Sequence, residues 1–196
     1  MPQRDYIRTQ IDEAARLMTA MLADEKLLGT VEAAANACAA ALKSGGKILL
    51  AGNGGSAADA QHIAAEFVSR LTFERPGMPA IALTTDTSIL TAVGNDYGFD
   101  HLFARQLQAI GKRGDIFIAY STSGQSSNIL FALRAARARG LICIGLTGNR
   151  SGPMVNECDF CMEVPSAETQ KIQEGHAVLG HVLCGLVESA VFGSIP

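Results

Sequence analysis

The chain has no surplus of basic residues: 16 Lys and Arg stand against 19 Asp and Glu, for a net charge of −3. A general electrostatic attraction to nucleic acid or to an anionic membrane surface is therefore not expected. No apolar run reads as long enough to span a bilayer. The N-terminus, Met1-Pro2-Gln3-Arg4-Asp5, lacks the apolar core of a secretory signal, so the expected compartment is the cytoplasm. Neither G-x-x-x-x-G-K-[ST] nor G-x-G-x-x-G occurs, which removes the phosphate loop of nucleotide-binding proteins and the dinucleotide fingerprint. Cysteine is sparse and odd in number, five in all, which argues for reduced thiols and against a disulfide framework. Cys158 and Cys161 have C-x-x-C spacing, but no second pair accompanies them. They read as ordinary strand or strand-edge cysteines. What remains, 48% hydrophobic and 18% charged residues over 196 positions, fits one globular domain spanning 1–196.

Within that domain the patterning alternates. Ile7, Ile11, Ala14, Leu17, Met18, Met21 and Leu22 recur at helical spacing, and Leu27, Leu28, Val31, Ala34, Ala35, Cys38 and Leu42 do so again. This predicts two N-terminal helices over 5–44, ended by Ser44-Gly45-Gly46. Strands are predicted at 47–51, 79–83, 115–120, 141–146 and 160–164. Helices are predicted at 56–70, briefly after the capping run Thr84-Thr85-Asp86-Thr87, through about 110, at 126–139 and at 168–192. Gly94-Asn95-Asp96-Tyr97-Gly98 reads as a turn, and 147–152 as a loop. The last helix carries little charge after Glu174 and is expected to be largely buried. Strands alternating with helices predict an α/β fold, a parallel sheet covered on both faces. Ligands in such sheets bind at the carboxyl ends of the strands.

Two polar loops fall at such ends. The first, Gly52-Asn53-Gly54-Gly55-Ser56, joins an apolar strand to an alanine-rich helix, where glycines let a backbone approach an anion at the helix N-terminus. The second, Ser121-Thr122-Ser123-Gly124-Gln125-Ser126-Ser127-Asn128, has more hydroxyls than one helix cap needs, and predicts a nest for a phosphate monoester. In the helix after the first loop, His62 and Glu66 stand at i and i+4, on one face. Alone they would be an ordinary surface pair. The closing helix places Gln173, Glu174, His176 and His181 in an otherwise apolar segment, and the chain has only four histidines. If the two helices are neighbours, His62, Glu66, Gln173 and His181 could converge on a metal or on a reacting carbon. His101 lies in a charged stretch and reads as a surface residue.

Taken together, Gly52-Asn53-Gly54-Gly55-Ser56, Ser121-Thr122-Ser123-Gly124-x-Ser126 and Gln173-Glu174-x-His176-x4-His181 resemble the sugar-isomerase (SIS) domain family, and within it the phosphoheptose isomerase group. The resemblance runs over essentially the whole length, including Arg75-Pro76-Gly77-x-Pro79-Ala80 and Gly94-Asn95-Asp96. It implies a three-layer αβα, flavodoxin-like five-stranded parallel sheet with an N-terminal helical extension over 1–45. It implies a homotetramer with sites at subunit interfaces, and one zinc ion per subunit held at His62, Glu66, Gln173 and His181. Substrate contacts are implied at Asn53, Gly54, Gly55, Ser56, Glu66, Asn95, Asp96, Ser121, Thr122, Ser123, Ser126 and Gln173. The implied reaction is ketose–aldose isomerisation of sedoheptulose 7-phosphate to D-glycero-D-manno-heptose 7-phosphate, an entry step to bacterial surface heptose, with Glu66 and His181 as the acid–base pair. The competing readings are a non-catalytic sugar-phosphate sensor, a regulator that binds the replication initiator, and an isomerase of another sugar phosphate.

Overall fold

A computed structural model describes residues 2–150 and 152–193 of the chain. The five strands β1 (Ile48–Ala51), β2 (Ala80–Ala82), β3 (Ile116–Tyr120), β4 (Ile142–Gly148) and β5 (Phe160–Val164) form one parallel sheet in the order β2-β1-β3-β4-β5. Every residue of β1 and β3 is buried, as central strands of a sheet covered on both faces must be. Strand order reverses between β1 and β3, the place where such sheets bind ligands. The flavodoxin-like expectation holds.

Alternation along the strands divides the core in two. Ile48, Leu50, Ile116, Ile118, Tyr120, Ile144 and Leu146 face α1 (Gln3–Leu22), α2 (Glu25–Lys43), α3 (Gly55–Val68) and α7 (Thr169–Phe192). Leu49, Ala51, Phe117, Ala119 and Cys143 face α5 (Leu102–Ile110) and α6 (Ser127–Ala138). Helix α2 is therefore packed into the domain, whereas α1 buries only Leu17 and Met21. Asp24 caps α2 by accepting from Leu27 N–H at 3.0 Å, and Lys171 Nζ ties α1 to α7 through the Gln10 carbonyl at 2.9 Å. At the amino ends of the strands Asp115 accepts from the Lys47 N–H and ammonium and from the Lys112 N–H. Burial alone would raise its pKa, but those bonds hold it below the usual carboxylate range.

Four expectations need correction. Gly94-Asn95-Asp96 is no turn: it forms the last part of α4 (Thr87–Tyr97), which Asp86 caps and which stops only at Gly98, φ +85°. Strand β4 runs through Thr147 and Gly148, which pair in register with Glu163 and Val164. Helix α7 is half exposed, with Val178, Val182 and Leu186 on its open face. By length and composition α7 could also cross a bilayer, against the reading from apolar runs. Here it packs as a core helix against α2, α3 and the sheet, with Glu188 fully buried along it. Two glycines permit that approach: a Cβ on Gly175 would lie 2.7 Å from Val164 Cγ1, and one on Gly180 would lie 2.8 Å from Ile63 Cδ1.

Candidate active site

Both polar loops meet at the carboxyl ends of β1 and β3. Helix α3 begins at Gly54, whose φ of +56° suits glycine and which has no side chain to cap the helix. Helix α6 begins at Ser126, and its hydroxyl makes no capping bond; it lies 3.0 Å from Ser121 Oγ instead. Two helix N-termini therefore open at one end of the sheet with no side-chain cap, a ready site for an anion. Gly124, φ +63°, turns the serine loop, and its N–H donates to the Ser121 carbonyl at 3.0 Å. Ser123 Oγ accepts from Gln125 N–H at 3.2 Å, and Thr122 O accepts from Gly148 N–H at 3.2 Å. Ser121 is buried, while Thr122, Ser123 and Ser126 are half-buried. Ser56 is buried, packed against Gly52.

The α3–α7 contact supplies the second half of the site. His62 Nε2 and His181 Nε2 lie 2.7 Å apart, their rings edge to face, and His62 Nε2 is 3.6 Å from Glu66 Oε1. The ligating atoms of His62, Glu66 and His181 all fall within 4.8 Å of one another. Two imidazole nitrogens so close cannot both carry a proton along the line between them. With a carboxylate oxygen beside them they form a donor set that suits a borderline-soft divalent cation. Gln173 stands on the same helix, and its amide presses on the glycine loop: a Cβ on Gly55 would lie 2.5 Å from Gln173 Nε2. The expected convergence of α3 and α7 is thus found for three side chains, with the fourth against the adjoining loop.

Other candidates are placed differently. Asn95 and Asp96 are exposed at the end of α4, bonded to each other at 2.8 Å, and no hydrogen bond described here joins them to the two loops. Asn53 turns its amide to Asn128, a residue that motif reading passed over. Reading along the chain also missed Asp59, one turn before His62. Burial raises its pKa, opposed by the nearby His62, and its Oδ2 is buried without a partner. His176, which shares the polar positions of α7, is separated from His181: it is fully buried, with its ring 5.8 Å from that of Tyr120. Burial pushes its pKa down to about 4, opposed by the nearby Thr147 backbone. His101 is half-buried against Phe131, not on the open surface. The C-x-x-C cysteines are free; Cys161 lies in β5 and Cys158 just before it, both beside Gly145.

Below the site, Arg75 and Glu188 form an ion pair at 2.8 Å, with both side chains essentially inaccessible. Glu188 also accepts from Leu71 N–H, Thr72 N–H and the Thr72 hydroxyl. Arg75 donates to the carbonyls of Glu66, Phe67, Ser69 and Pro76, closing the end of α3. Burial would raise the pKa of Glu188, but its bonds to Thr72, Leu71 and Arg75 hold it below the usual range.

Comparison with known proteins agrees with this fold. The profile of the SIS domain matches residues 11–148. A phosphoheptose isomerase of Burkholderia pseudomallei (strain 1710b) is 66% identical over 188 residues, 96% of this chain and 95% of that protein. The solved phosphoheptose isomerase of Francisella tularensis superposes with a TM-score of 0.92 at 36% identity, covering 96% of this chain and all of the other. That of Neisseria gonorrhoeae gives 0.89 at 40% identity, with coverage of 95% and 98%.

Proposed function

The chain belongs to the phosphoheptose isomerase group of the SIS domain family and is a sugar-phosphate isomerase; on that premise we propose that it converts sedoheptulose 7-phosphate to D-glycero-D-manno-heptose 7-phosphate. One observation carries the proposal. Two uncapped helix N-termini and a set of serine hydroxyls open at the same end of the sheet that holds His62, Glu66 and His181. One half suits the phosphate, and the other suits proton transfer at the far end of the sugar.

Isomerisation moves a proton between C1 and C2 through an enediol, which needs a base near C1–C2 and stabilisation of the developing oxyanion. Glu66 and His181 are the acid–base pair. Asn53, Gly54, Gly55, Ser56, Ser121, Thr122, Ser123 and Ser126 bind and orient the substrate, which fixes the reacting carbons relative to Glu66. His62, Glu66, Gln173 and His181 would hold a zinc ion, whose contribution when bound is to polarise the carbonyl. The remaining substrate contacts, Asn95 and Asp96, sit on α4, which buries no residue within its own chain. Their exposure, and that of Tyr6, Ile7, Ile11, Val178, Val182 and Leu186, supports a homotetramer whose sites are completed between subunits. A SIS sensor or initiator-binding regulator would need neither Glu66 nor His181. Another sugar phosphate is the reading to test among enzymes.

Purified protein incubated with sedoheptulose 7-phosphate should yield an aldose phosphate; recovery of unchanged ketose, with turnover of a different sugar phosphate, would replace the substrate. Replacing Ser123 and Ser126 together by alanine should weaken sugar-phosphate binding by about 1–3 kcal/mol, through lost hydrogen bonds to a charged group. An unchanged KM in that double variant would remove the serine loop from phosphate binding.

A further inference from the structure

The two ligand loops come from parts of the chain 75 residues apart, yet one pair of side chains joins them. Asn53 Nδ2 donates to Asn128 Oδ1 at 2.9 Å, and Asn128 Nδ2 donates back to Asn53 Oδ1 at 2.8 Å. Asn128 is 1% exposed and sits in the first turn of α6, where asparagine has no propensity advantage and a buried amide is costly unless satisfied. The reciprocal pairing satisfies it. It also couples the two amides, because turning one over alone would set nitrogen against nitrogen and oxygen against oxygen. One N–H and one lone pair of Asn53 remain outside the pair. The glycine loop that Asn53 belongs to also supports Gln173, through Gly55.

We propose that Asn128 is a positioning residue: with Asn53 it forms an amide clamp that holds the serine loop at a fixed distance from the glycine loop and from Gln173. A sugar phosphate bound by the serine loop is thereby held in register with the proton-transfer residues. The clamp acts through Asn53 and need not touch substrate. The proposal rests on the isomerase reading, so its test has an arm that does not.

The experiment is a double-mutant cycle on N128A, N53A and N53A/N128A, with KM and kcat for sedoheptulose 7-phosphate, inorganic phosphate affinity by calorimetry, and melting temperature for each protein. N128A should raise KM about tenfold, the effect of one lost well-placed polar contact, and weaken phosphate binding in parallel. In the N53A background the same change should have little further effect, because the clamp is already open. N128L, which is close in size and removes both amide groups without adding a charge, carries the cycle if N128A does not fold. Additive effects, or a lower melting temperature with unchanged KM and phosphate affinity, would reduce Asn128 to a structural residue. If the wild-type protein does not turn over sedoheptulose 7-phosphate, the substrate reading fails. The clamp then stands or falls on the phosphate-affinity cycle.

Discussion

Helix α7 meets α3 at one polar place and the loop that follows α3 at another, and the two are built on opposite plans. At Glu188 every carboxylate lone pair in use meets a donor: Leu71, Thr72 and Arg75 surround it, and Arg75 spends its remaining N–H groups on carbonyls. About two turns earlier on α7, His181 faces His62 and Glu66 with half-exposed groups that have only one another as side-chain partners among the described residues. Saturation marks the first as structure, since a buried ion pair is tolerable only when fully satisfied. Shortage of partners marks the second as chemistry, because groups held together with spare capacity are available to a ligand or a proton. The same helix, α7, carries both.

The sharpest way to break this contrast is Glu66→Gln, which keeps size but removes a proton acceptor. A catalytic base contributes on the order of 10²- to 10⁴-fold, so kcat should fall into that range while melting temperature stays near wild type. Metal content is measured in the same sample, and wild-type turnover would take Glu66 out of the mechanism. Next in size, Glu188→Ala leaves Arg75 buried and unpaired, which should lower unfolding free energy by about 3–5 kcal/mol in a denaturant titration. Activity per folded molecule should change far less than in the Glu66 variant. A Glu188 variant of normal stability with collapsed kcat would merge the two regions.

His176 offers a third and smaller test, a buried polar group that belongs to neither plan. Its ring nitrogens, the Tyr120 hydroxyl and Thr147 Oγ1 are all buried without hydrogen-bond partners among the described residues. Its pKa of about 4 when folded lies below the ordinary 6.5, so the unfolded chain binds the extra proton first. The stability this neutral imidazole permits is present above pH 6.5 and is lost as pH falls toward 4, by roughly 3 kcal/mol over the whole window. Thermal melts across that window should flatten in His176→Phe relative to wild type. An unchanged slope would assign the acid sensitivity to other groups, Asp115 and Glu188 first.

Legibility in the sequence followed locality. β5 was readable to the residue, since Phe160–Val164 is apolar except for Glu163 and is closed by Pro165, and Asp86 announced α4 as its cap. Gly94-Asn95-Asp96 misled because these residues favour turns by intrinsic preference, whereas the helix continues until Gly98 takes a positive φ. β4 read short because Thr147 and Gly148 look like a loop until Glu163 and Val164 pair with them. In the site, His62 and Glu66 were visible as a helical pair, but their meeting with His181 depends on how α3 and α7 pack. The amide pair of Asn53 and Asn128 was invisible for the same reason: each is an ordinary loop or cap residue until β1 and β3 lie side by side. Arg75 was visible only as part of a family-like loop, and nothing local paired it with Glu188.

Gly180 has a consequence that reaches beyond packing. It lies directly before His181, and the missing side chain lets Ile63, directly after His62, come within contact of the helix backbone. The gap between the two imidazoles is therefore gauged one residue away from each, by a hydrogen atom where other residues carry carbon. A single methyl there would lie 2.8 Å from Ile63 Cδ1, so either the isoleucine side chain turns aside or the methyl acts as a shim between the helices and widens the bite of the histidines. A position with no side chain of its own is thus part of the ruler that sets the spacing of the site.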